Sequence, residues 1–314
     1  MSEIGLGIIG AGHIAQEHLK VIKALPEVKA IGITSRTLSK AEELARKYDI
    51  DNVYDTTKDM LKKVALDGIM VLVSAEQIYE VVSNLIPERI PLFIEKPPGL
   101  DPGETSSLVN LADQYGTQSM VGFNRRYYSV FHKGIDVLKR HGELLGVVIE
   151  GHERFWKTKD SLSQIMRDQW VYGNSTHTID LLRFFGGEPR VVHALASSHL
   201  EKNADQFSTI LDFESGALGN YFSHWYSPGG WSIRLFGDGV TVEFKPLENG
   251  RWMDTDFNVH EIKAEKEDID FKPGFFRQIA SFIKLIRSGR LEWPAQDLFE
   301  SQKTMKLASK ISGL

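Results

Sequence analysis

The strongest constraint on the fold is a short glycine-containing stretch near the start of the chain. Leu6 to Leu19 read LGIIGAGHIAQEHL, and Gly10, Gly12 and Ala15 spell G-x-G-x-x-A between an apolar run and a helical pattern. Glycine is unfavourable in strands and helices, so its presence at this joint indicates a backbone requirement. Gly10 suits a tight turn, Gly12 lets the backbone approach a pyrophosphate, and Ala15 lets the helix pack closely on the strand. The pattern predicts a dinucleotide-binding strand–turn–helix, with a purely structural turn as the alternative.

The start of this helix and the end of the second strand predict further cofactor contacts. His13 and Ile14 open the helix, where the backbone N–H groups and the helix dipole favour a phosphate. The second strand ends in ITSR, and no acid stands where an NAD site usually holds the ribose 2′-hydroxyl. A hydroxyl at Ser35 and a guanidinium at Arg36 suit a 2′-phosphate, so the sequence favours NADP(H) over NAD(H). The alternative is a helix cap beside a solvated arginine.

Two hydrophobic patterns divide the chain into two predicted domains. In residues 1–123, apolar strands alternate with amphipathic helices, which is typical of a doubly wound parallel sheet. From Gly146 onward, segments such as DQFSTILDF and GALGNYFSHW alternate apolar and polar residues, which is typical of an antiparallel sheet with one buried face. The predicted fold is therefore an α/β Rossmann domain at 1–123 and an α+β domain at 124–314 with a large open, mostly antiparallel sheet. Helical periodicity returns from Phe275, and this C-terminal helix could pack back on the Rossmann domain.

The predicted open sheet and the composition together indicate the partners. An open sheet leaves one face to cover, so we expect a homodimer or homotetramer formed through the C-terminal sheet. The net charge of −5 provides no basic excess for nucleic acid or an anionic membrane surface. No apolar run approaches the roughly 20 residues of a membrane span.

The same composition excludes several kinds of site. The chain contains no cysteine, which excludes disulfides, thiolate metal sites and a cysteine nucleophile. The ten histidines are scattered without a metal-binding pair, so no metal site is predicted. The first residues lack the features of a secretory signal, and a cytoplasmic location is expected.

Motifs further along the chain resemble one family of oxidoreductases. Glu95-Lys96-Pro97 follows the apolar run PLFI, VGFNRRYYSVF follows the sixth strand, and STHTIDLLRFFGGEPRVVHA surrounds His177. Over essentially the full chain, these segments resemble the Gfo/Idh/MocA family of glucose-fructose oxidoreductase and inositol dehydrogenase relatives. The resemblance implies hydride exchange between a nicotinamide and a secondary alcohol or ketone of a sugar, sugar derivative or cyclitol.

The resemblance also implies roles for individual residues. Lys96 would hydrogen-bond the reacting hydroxyl and approach the nicotinamide ribose, with Glu95 and Pro97 beside it on the cofactor side. His177 would take or return the hydroxyl proton as hydride moves. A lysine has an ordinary pKa of about 10.4, which burial beside an oxidised nicotinamide would lower, whereas the ordinary histidine pKa of about 6.5 suits either direction. A surface lysine and a buried histidine without chemistry are the alternatives.

Two segments depart from the family pattern. The family commonly has an acid four residues before the histidine, and here that position is Gly173. His177 then works alone, or Asn174 or Tyr172 fills in, or the chemistry is lost. After the fourth strand the chain reads SAEQIY in place of a T-P-x-x-x-H-like turn, although Ser74 can still donate a hydroxyl to the cofactor.

Other candidate substrate contacts come from two segments. Aromatic faces among charges suit a sugar ring, and extra cations suit a phosphate or a carboxylate. HERFWKTKDSLSQIMRDQWVYG offers Arg154, Trp156, Lys157, Arg167, Asp168 and Trp170. Sheet core and a solvated face are the alternative. NRRYY places Arg125 and Arg126 just past the carboxyl end of a strand, where ligands collect in open α/β sheets. Of these two arginines, Arg125 is the candidate substrate anchor, and the other arginine could cap or pair. Asp180 is expected to have a structural or orienting role.

Three functions stay open at this level. The first is an NADP(H)-preferring dehydrogenase or reductase acting on a sugar-like alcohol or ketone. The second is a cofactor-assisted glycosidase that oxidises a sugar transiently. The third is a non-catalytic NAD(P)-binding sensor or regulatory protein, which Gly173 in place of the acid would favour.

Overall fold

The computed structural model describes residues 3–314, and the chain divides into two compact units. The first unit comprises Met1–Asn124 and Asp270–Gln302, and the second comprises Arg125–Ile269 and Lys303–Leu314. Each unit is therefore built from two separate stretches of chain.

The first unit contains a six-stranded, fully parallel sheet. Its strands are β1 Ile4–Ile9, β2 Val28–Thr34, β3 Val53–Tyr54, β4 Gly68–Val71, β5 Leu92–Ile94 and β6 Ser119–Val121. Their spatial order is β3-β2-β1-β4-β5-β6, the doubly wound order, with the reversal between β1 and β4. Every residue of β1, β4, β5 and β6 is buried, as expected for strands covered on both faces.

Five helices follow these strands in the first stretch of the chain. They are α1 His13–Ala24, α2 Leu38–Tyr48, α3 Thr57–Lys63, α4 Ala75–Leu85 and α5 Pro102–Tyr115, with a 3₁₀ turn at Ile86–Glu88. Their ends follow capping rules. The Asp101 carboxylate accepts from the backbone N–H of Glu104 at 2.9 Å, and α5 ends at Gly116 in the left-handed conformation.

The second unit contains an eight-stranded, mostly antiparallel sheet. Its strands are β7 Leu144–Gly151, β8 Pro189–Ser197, β9 Gln206–Phe213, β10 Leu218–His224, β11 Trp231–Gly237, β12 Val240–Phe244, β13 Gly250–Met253 and β14 Val259–Ile262. The order is β14-β13-β12-β11-β7-β10-β9-β8, and the pair β7–β10 is parallel. The predicted combination of a parallel Rossmann sheet and a large, mostly antiparallel second sheet is confirmed.

Five helices accompany the strands of this second sheet, and the first and fourth of them pack on one of its faces. They are α6 Ser129–His141, α7 Phe155–Thr158, α8 Gln164–Asp168, α9 Thr176–Gly186 and α10 Lys266–Asp270, with 3₁₀ turns at Asn124–Tyr127 and Lys159–Ser161. A π-helical turn at Val171–Ser175 leads directly into α9. The covered face forms the core of the unit, whereas the opposite face presents Leu195, Ile210 and Leu218, which are 78%, 59% and 59% exposed.

Two final helices explain why the units are discontinuous. They are α11 Phe275–Ser288 and α12 Leu298–Ser312. The apolar side of α11 is buried within the first unit, where the Phe275 ring lies 4.5 Å from the His18 ring on α1. The sequence predicts one boundary after residue 123 and assigns the later residues to the second domain, with a C-terminal helix that could pack back on the Rossmann domain. That boundary does not capture residues 270–302, because α11 has an apolar face that covers α1.

No helix within residues 3–314 has both the length and the apolar character needed to span a bilayer. The described residues also contain no group of three or more His, Asp or Glu side chains arranged to hold a metal ion.

Candidate functional site

The joint between β1 and α1 has the geometry that its glycines predict. Gly10 has φ +109°, and a Cβ at this position would lie 2.3 Å from the carbonyl oxygen of Leu72. Its N–H donates to the carbonyl of Thr34 at 2.8 Å. Only glycine fits this turn, which ties β1 to both neighbouring strands.

Gly12 has a different role from Gly10. It is the N-cap of α1, and a Cβ at this position would meet nothing within 4 Å. The first turn of α1, starting at His13 and Ile14, has no side-chain cap and no acid, while Ala15 is fully buried. The open space in front of an uncapped helix N-terminus fits an anionic group such as a dinucleotide pyrophosphate.

Because a methyl group has space at Gly12 but not at Gly10, alanine substitutions at these two positions form a matched pair of variants. Gly12→Ala is expected to leave the melting temperature near wild type and to weaken NADPH binding by about tenfold or more, because the new methyl fills space needed by the pyrophosphate. Gly10→Ala is expected to destabilise the fold itself, because the methyl meets the Leu72 carbonyl. Thermal unfolding and NADPH fluorescence titration measure the two effects. A Gly12→Ala protein that binds NADPH like wild type would contradict this assignment.

A cleft of about 440 Å³ extends from these glycines over the carboxyl ends of β1, β2 and β4. The cleft includes three predicted contacts, Ser35, Arg36 and Ser74. Lys40 adds a second cation that the sequence reasoning missed, and Asp55 is the one carboxylate among the lining residues. The full lining is Ile9, Gly10, Ala11, Gly12, Thr34, Ser35, Arg36, Thr37, Lys40, Asp55, Thr56, Thr57, Leu72, Val73, Ser74, Gln77 and Val81.

Glu95-Lys96-Pro97 follows β5 directly. Glu95 is buried, and its Oε1 lies 2.9 Å from Nε2 of the fully buried His18. Its other oxygen accepts from the backbone N–H of Lys96 at 3.1 Å. The His18 ring packs against Phe93 and Phe275, which fixes it in place. Glu95 therefore anchors the backbone of the half-buried Lys96 to α1, the helix of the glycine joint.

The second unit contains a separate cavity of about 360 Å³. The Arg125 guanidinium lies 4.4 Å from the centre of the Trp231 ring, a cation–π contact on the cavity wall. Burial lowers the pKa of His152. Burial also raises the pKa of Tyr128 to about 12, and the Tyr128 hydroxyl donates to Glu248. The lining residues are Arg125, His152, Glu153, Arg154, Thr158, Trp170, Asn174, Gly230, Trp231, Pro246, Leu247 and Glu248.

The neighbouring arginine, Arg126, is used differently. Its Nε and Nη2 donate to the two oxygens of Asp180 at 2.7 and 3.0 Å, and both side chains are buried. Asp180 also accepts from the hydroxyl of Thr304 at 2.8 Å. Arg126 and Asp180 therefore form a buried structural pair, and Arg125 is the arginine that reaches the cavity.

His177 lies in the first turn of α9, just after the π-helical turn. It is buried, and its ring centre lies 5.9 Å from that of Trp231, which lines the cavity. π-helical turns within helices are often found at functional sites. Ser175, the N-cap of α9, donates its hydroxyl to Glu153 at 2.9 Å.

The structure brings together only part of the predicted substrate set. Arg125, Asn174, Arg154 and Trp170 line the cavity. Tyr172 is buried in the core of the second unit, and Trp156 is half-buried on α7; neither side chain lines this cavity. Lys157, Arg167 and Asp168 do not line it either.

Among the polar and aromatic residues of the cavity lining, sequence reasoning missed five: His152, Glu153, Thr158, Trp231 and Glu248. Position alone could have suggested His152 and Glu153, because they are polar residues directly after the end of β7. Trp231 and Glu248 come from distant parts of the sheet and carry no local signal.

Comparison with known proteins agrees with this two-part architecture. Residues 4–123 match the family model of the oxidoreductase family with an NAD-binding Rossmann fold. Residues 147–243 match the model of the GFO/IDH/MocA C-terminal domain.

Individual relatives are distant in sequence. Inositol 2-dehydrogenase of Rhizobium meliloti is 25% identical over 68% of this chain, and the match spans 66% of that protein. The 4-carboxy-2-hydroxymuconate-6-semialdehyde dehydrogenase of Sphingobium is 22% identical, with 91% of each chain covered. Among solved structures, a dehydrogenase from Chromobacterium violaceum matches with a TM-score of 0.85 at 21% identity. The match covers 100% of this chain and 95% of that chain, so the two proteins share a fold. With both of its domains matched by family models in the expected order, the chain belongs to the Gfo/Idh/MocA oxidoreductase family.

Proposed function

We propose that this protein is an NAD(P)-dependent dehydrogenase or reductase acting on a secondary alcohol or ketone of a sugar, sugar derivative or cyclitol. The observation that carries the proposal is the open cleft at Gly12 and the α1 N-terminus, which fits a dinucleotide pyrophosphate. The substrate class is supported by the name of the inositol dehydrogenase relative and by Trp170 and Trp231, whose ring faces suit a sugar ring.

We assign two residues to proton handling. A nicotinamide, when bound, supplies or accepts the hydride. Lys96, half-buried after β5 and tethered through Glu95, would hold the reacting oxygen by hydrogen bonding. His177, in the first turn of α9, would take the hydroxyl proton during oxidation or return it during reduction.

We further propose that NADP(H) is preferred over NAD(H). Ser35 and Arg36 directly follow β2 and line the cleft, and Lys40 brings a second positive charge to the same lining. Two cations and a hydroxyl suit a 2′-phosphate better than a free 2′-hydroxyl, which an acid would bind. Asp55 leaves a net charge of +1 on the cleft lining.

The experiment is a titration of the purified protein with NADPH and NADH, followed by nicotinamide fluorescence. Arg36→Ala is expected to weaken NADPH binding by about tenfold or more and to change NADH binding little, since only the 2′-phosphate loses a charge-assisted hydrogen bond. Exposed Lys58→Ala, outside the cleft lining, is the control. A wild-type preference for NADH that the Arg36 variant does not alter would overturn the cofactor assignment.

Turnover tests the rest of the proposal. We expect reduction of NADP⁺ with at least one of myo-inositol, scyllo-inositol, D-glucose and D-xylose. Tight NADPH binding without turnover in either direction would favour the non-catalytic sensor instead. Glycoside cleavage without net change in the cofactor would favour the cofactor-assisted glycosidase.

We also propose that the open face of the second sheet packs against another copy of the chain to give a homodimer or homotetramer. Leu195, Ile210 and Leu218 lie on three adjacent strands of that face and are more than half exposed. Apolar side chains grouped in this way are usually covered in an assembly. A cytoplasmic location stays a prediction.

A further inference from the structure

A buried carboxylate faces the cavity of the second unit. Glu153 follows the end of β7 by two residues, is 3% exposed and lines the cavity. Its Oε2 accepts from the side-chain amide of Asn174, and its Oε1 accepts from the hydroxyl of Ser175 at 2.9 Å. Both of these donors are neutral.

The two donors connect Glu153 to the helix that carries His177. Asn174 and Ser175 end the π-helical turn, and α9 begins at the next residue. Burial, assisted by the charge of Glu153, raises the pKa of the Tyr221 hydroxyl, which lies 3.3 Å from the hydroxyl of Thr178. Thr178 follows His177 directly, so the negative charge of Glu153 lies beside the first turn of α9.

A carboxylate at this position requires an explanation. Burying a charge costs free energy. A glutamine could keep both hydrogen bonds without that cost if the Asn174 amide turned over, so that the Asn174 oxygen accepts from the glutamine NH₂ group. The N-terminus of α9 and the arginines of the same cavity lining, Arg125 and Arg154, offset part of that cost. Buried ionisable groups that line a cavity are candidates for a functional role.

We propose that Glu153 is the acidic group of the substrate site, where it accepts a hydrogen bond from a hydroxyl of a bound polyol and places negative charge beside His177. The polyol contact rests on the proposed function. The charge beside His177 rests on the geometry of the second unit alone. Position 173 lies one helical turn before His177. It can then be glycine, because Glu153 supplies the acid of the site.

Other charged groups surround the same cavity and the same helix. Arg125, His152, Arg154 and Glu248 line the cavity with Glu153. Asp180, on α9 itself, is paired with Arg126. None of these side chains is changed in the variants that test the proposal.

The test uses an isosteric change and an exchange of partners. Glu153→Gln removes the charge and keeps the shape. Glu153→Gln combined with Asn174→Asp exchanges carboxylate and amide across the same hydrogen bond, so that the cavity regains one negative charge. Glu143→Gln, at an exposed position before β7, controls for the loss of one charge from the whole protein. Thermal unfolding and NADPH binding of each full-length variant show that both units remain intact.

Two measurements then decide the proposal. With myo-inositol and NADP⁺, Glu153→Gln is expected to lower kcat/KM by about 10- to 100-fold, and the exchanged pair is expected to recover most of that loss. By NMR of the protein without substrate, the pH at which the His177 ring titrates is expected to fall in Glu153→Gln, to return towards wild type in the exchanged pair, and to stay unchanged in Glu143→Gln.

Each outcome has a definite meaning. If His177 titrates identically in wild type and Glu153→Gln, the placement of charge beside His177 is wrong. If His177 shifts as expected while wild type binds NADPH but does not turn over myo-inositol, the placement of charge is supported and the proposed polyol contact is overturned for that substrate. Loss of turnover in Glu153→Gln that the exchanged pair does not recover, with lowered thermal stability in both, would show a structural role only.

Discussion

Replacing Lys96 with methionine is expected to lower kcat for the best polyol of the screen by about 10²- to 10⁴-fold, the usual contribution of a positioned acid–base group. Methionine has a similar length and no charge, so it would remove the proposed hydrogen bond to the reacting oxygen while filling the same half-buried space. The Glu95–His18 contact does not involve the Lys96 side chain, so the local backbone should persist. Steady-state kinetics with saturating NADP⁺ measure the effect.

A matched control separates chemistry from general damage. Lys58→Met changes an exposed lysine on α3 and should leave kcat within about twofold of wild type, as surface changes usually do. His177→Asn should produce a loss of similar size to Lys96→Met. If both residues serve one proton transfer, the double variant should be little worse than either single variant. A Lys96→Met enzyme that keeps wild-type kcat would show that the lysine takes no part in the reaction.

Replacing Arg126 with methionine is expected to lower the free energy of unfolding by about 3–5 kcal/mol, because it leaves a buried carboxylate without its ion partner. Asp180 is 2% exposed at its side chain and receives two hydrogen bonds from Arg126. The Thr304 hydroxyl alone cannot compensate the remaining charge. Urea unfolding followed by circular dichroism measures the change.

Two comparisons test the physical reason for that loss. Arg190→Met breaks an exposed ion pair with Asp212 and should cost no more than about 1 kcal/mol. Arg126→Met combined with Asp180→Leu removes both charges and should be more stable than Arg126→Met alone. If the double variant is the less stable of the two, the uncompensated charge is not the cause.

Much of the fold could be predicted because its signals are local. The strand–turn–helix at Gly10 and Gly12, the alternation of strands and helices, and the period-two pattern of β9 and β10 all lie within short windows of sequence. The helical pattern from Phe275 indicates only that this helix could pack back on the Rossmann domain, and not which surface it covers. Its apolar face is visible in the sequence, but its contact with His18 joins residues more than 250 positions apart.

In the candidate site, too, the residues that could be predicted are those with a local sequence signal. Ser35, Arg36 and Ser74 could be predicted because they follow strand ends of a known sheet order, and the structure places them on one cleft. Trp156 is a candidate from the sequence because it lies in the segment before His177, but the ring that lines the cavity near His177 belongs to Trp231 on β11. Glu153 and Asn174 are separated by 21 positions, so no local pattern reveals their contact.

The discontinuous course of the chain limits how this protein could exchange parts with its relatives in evolution. The second unit is formed by residues 125–269 and 303–314, and a stretch of the first unit lies between them in the sequence. A single recombination event near residue 125 would replace α11 together with the cavity of the second unit, and would place a foreign helix against α1. Transfer of substrate preference without disturbing the nucleotide cleft therefore requires a second crossover near residue 270, so that only the intervening segment is replaced.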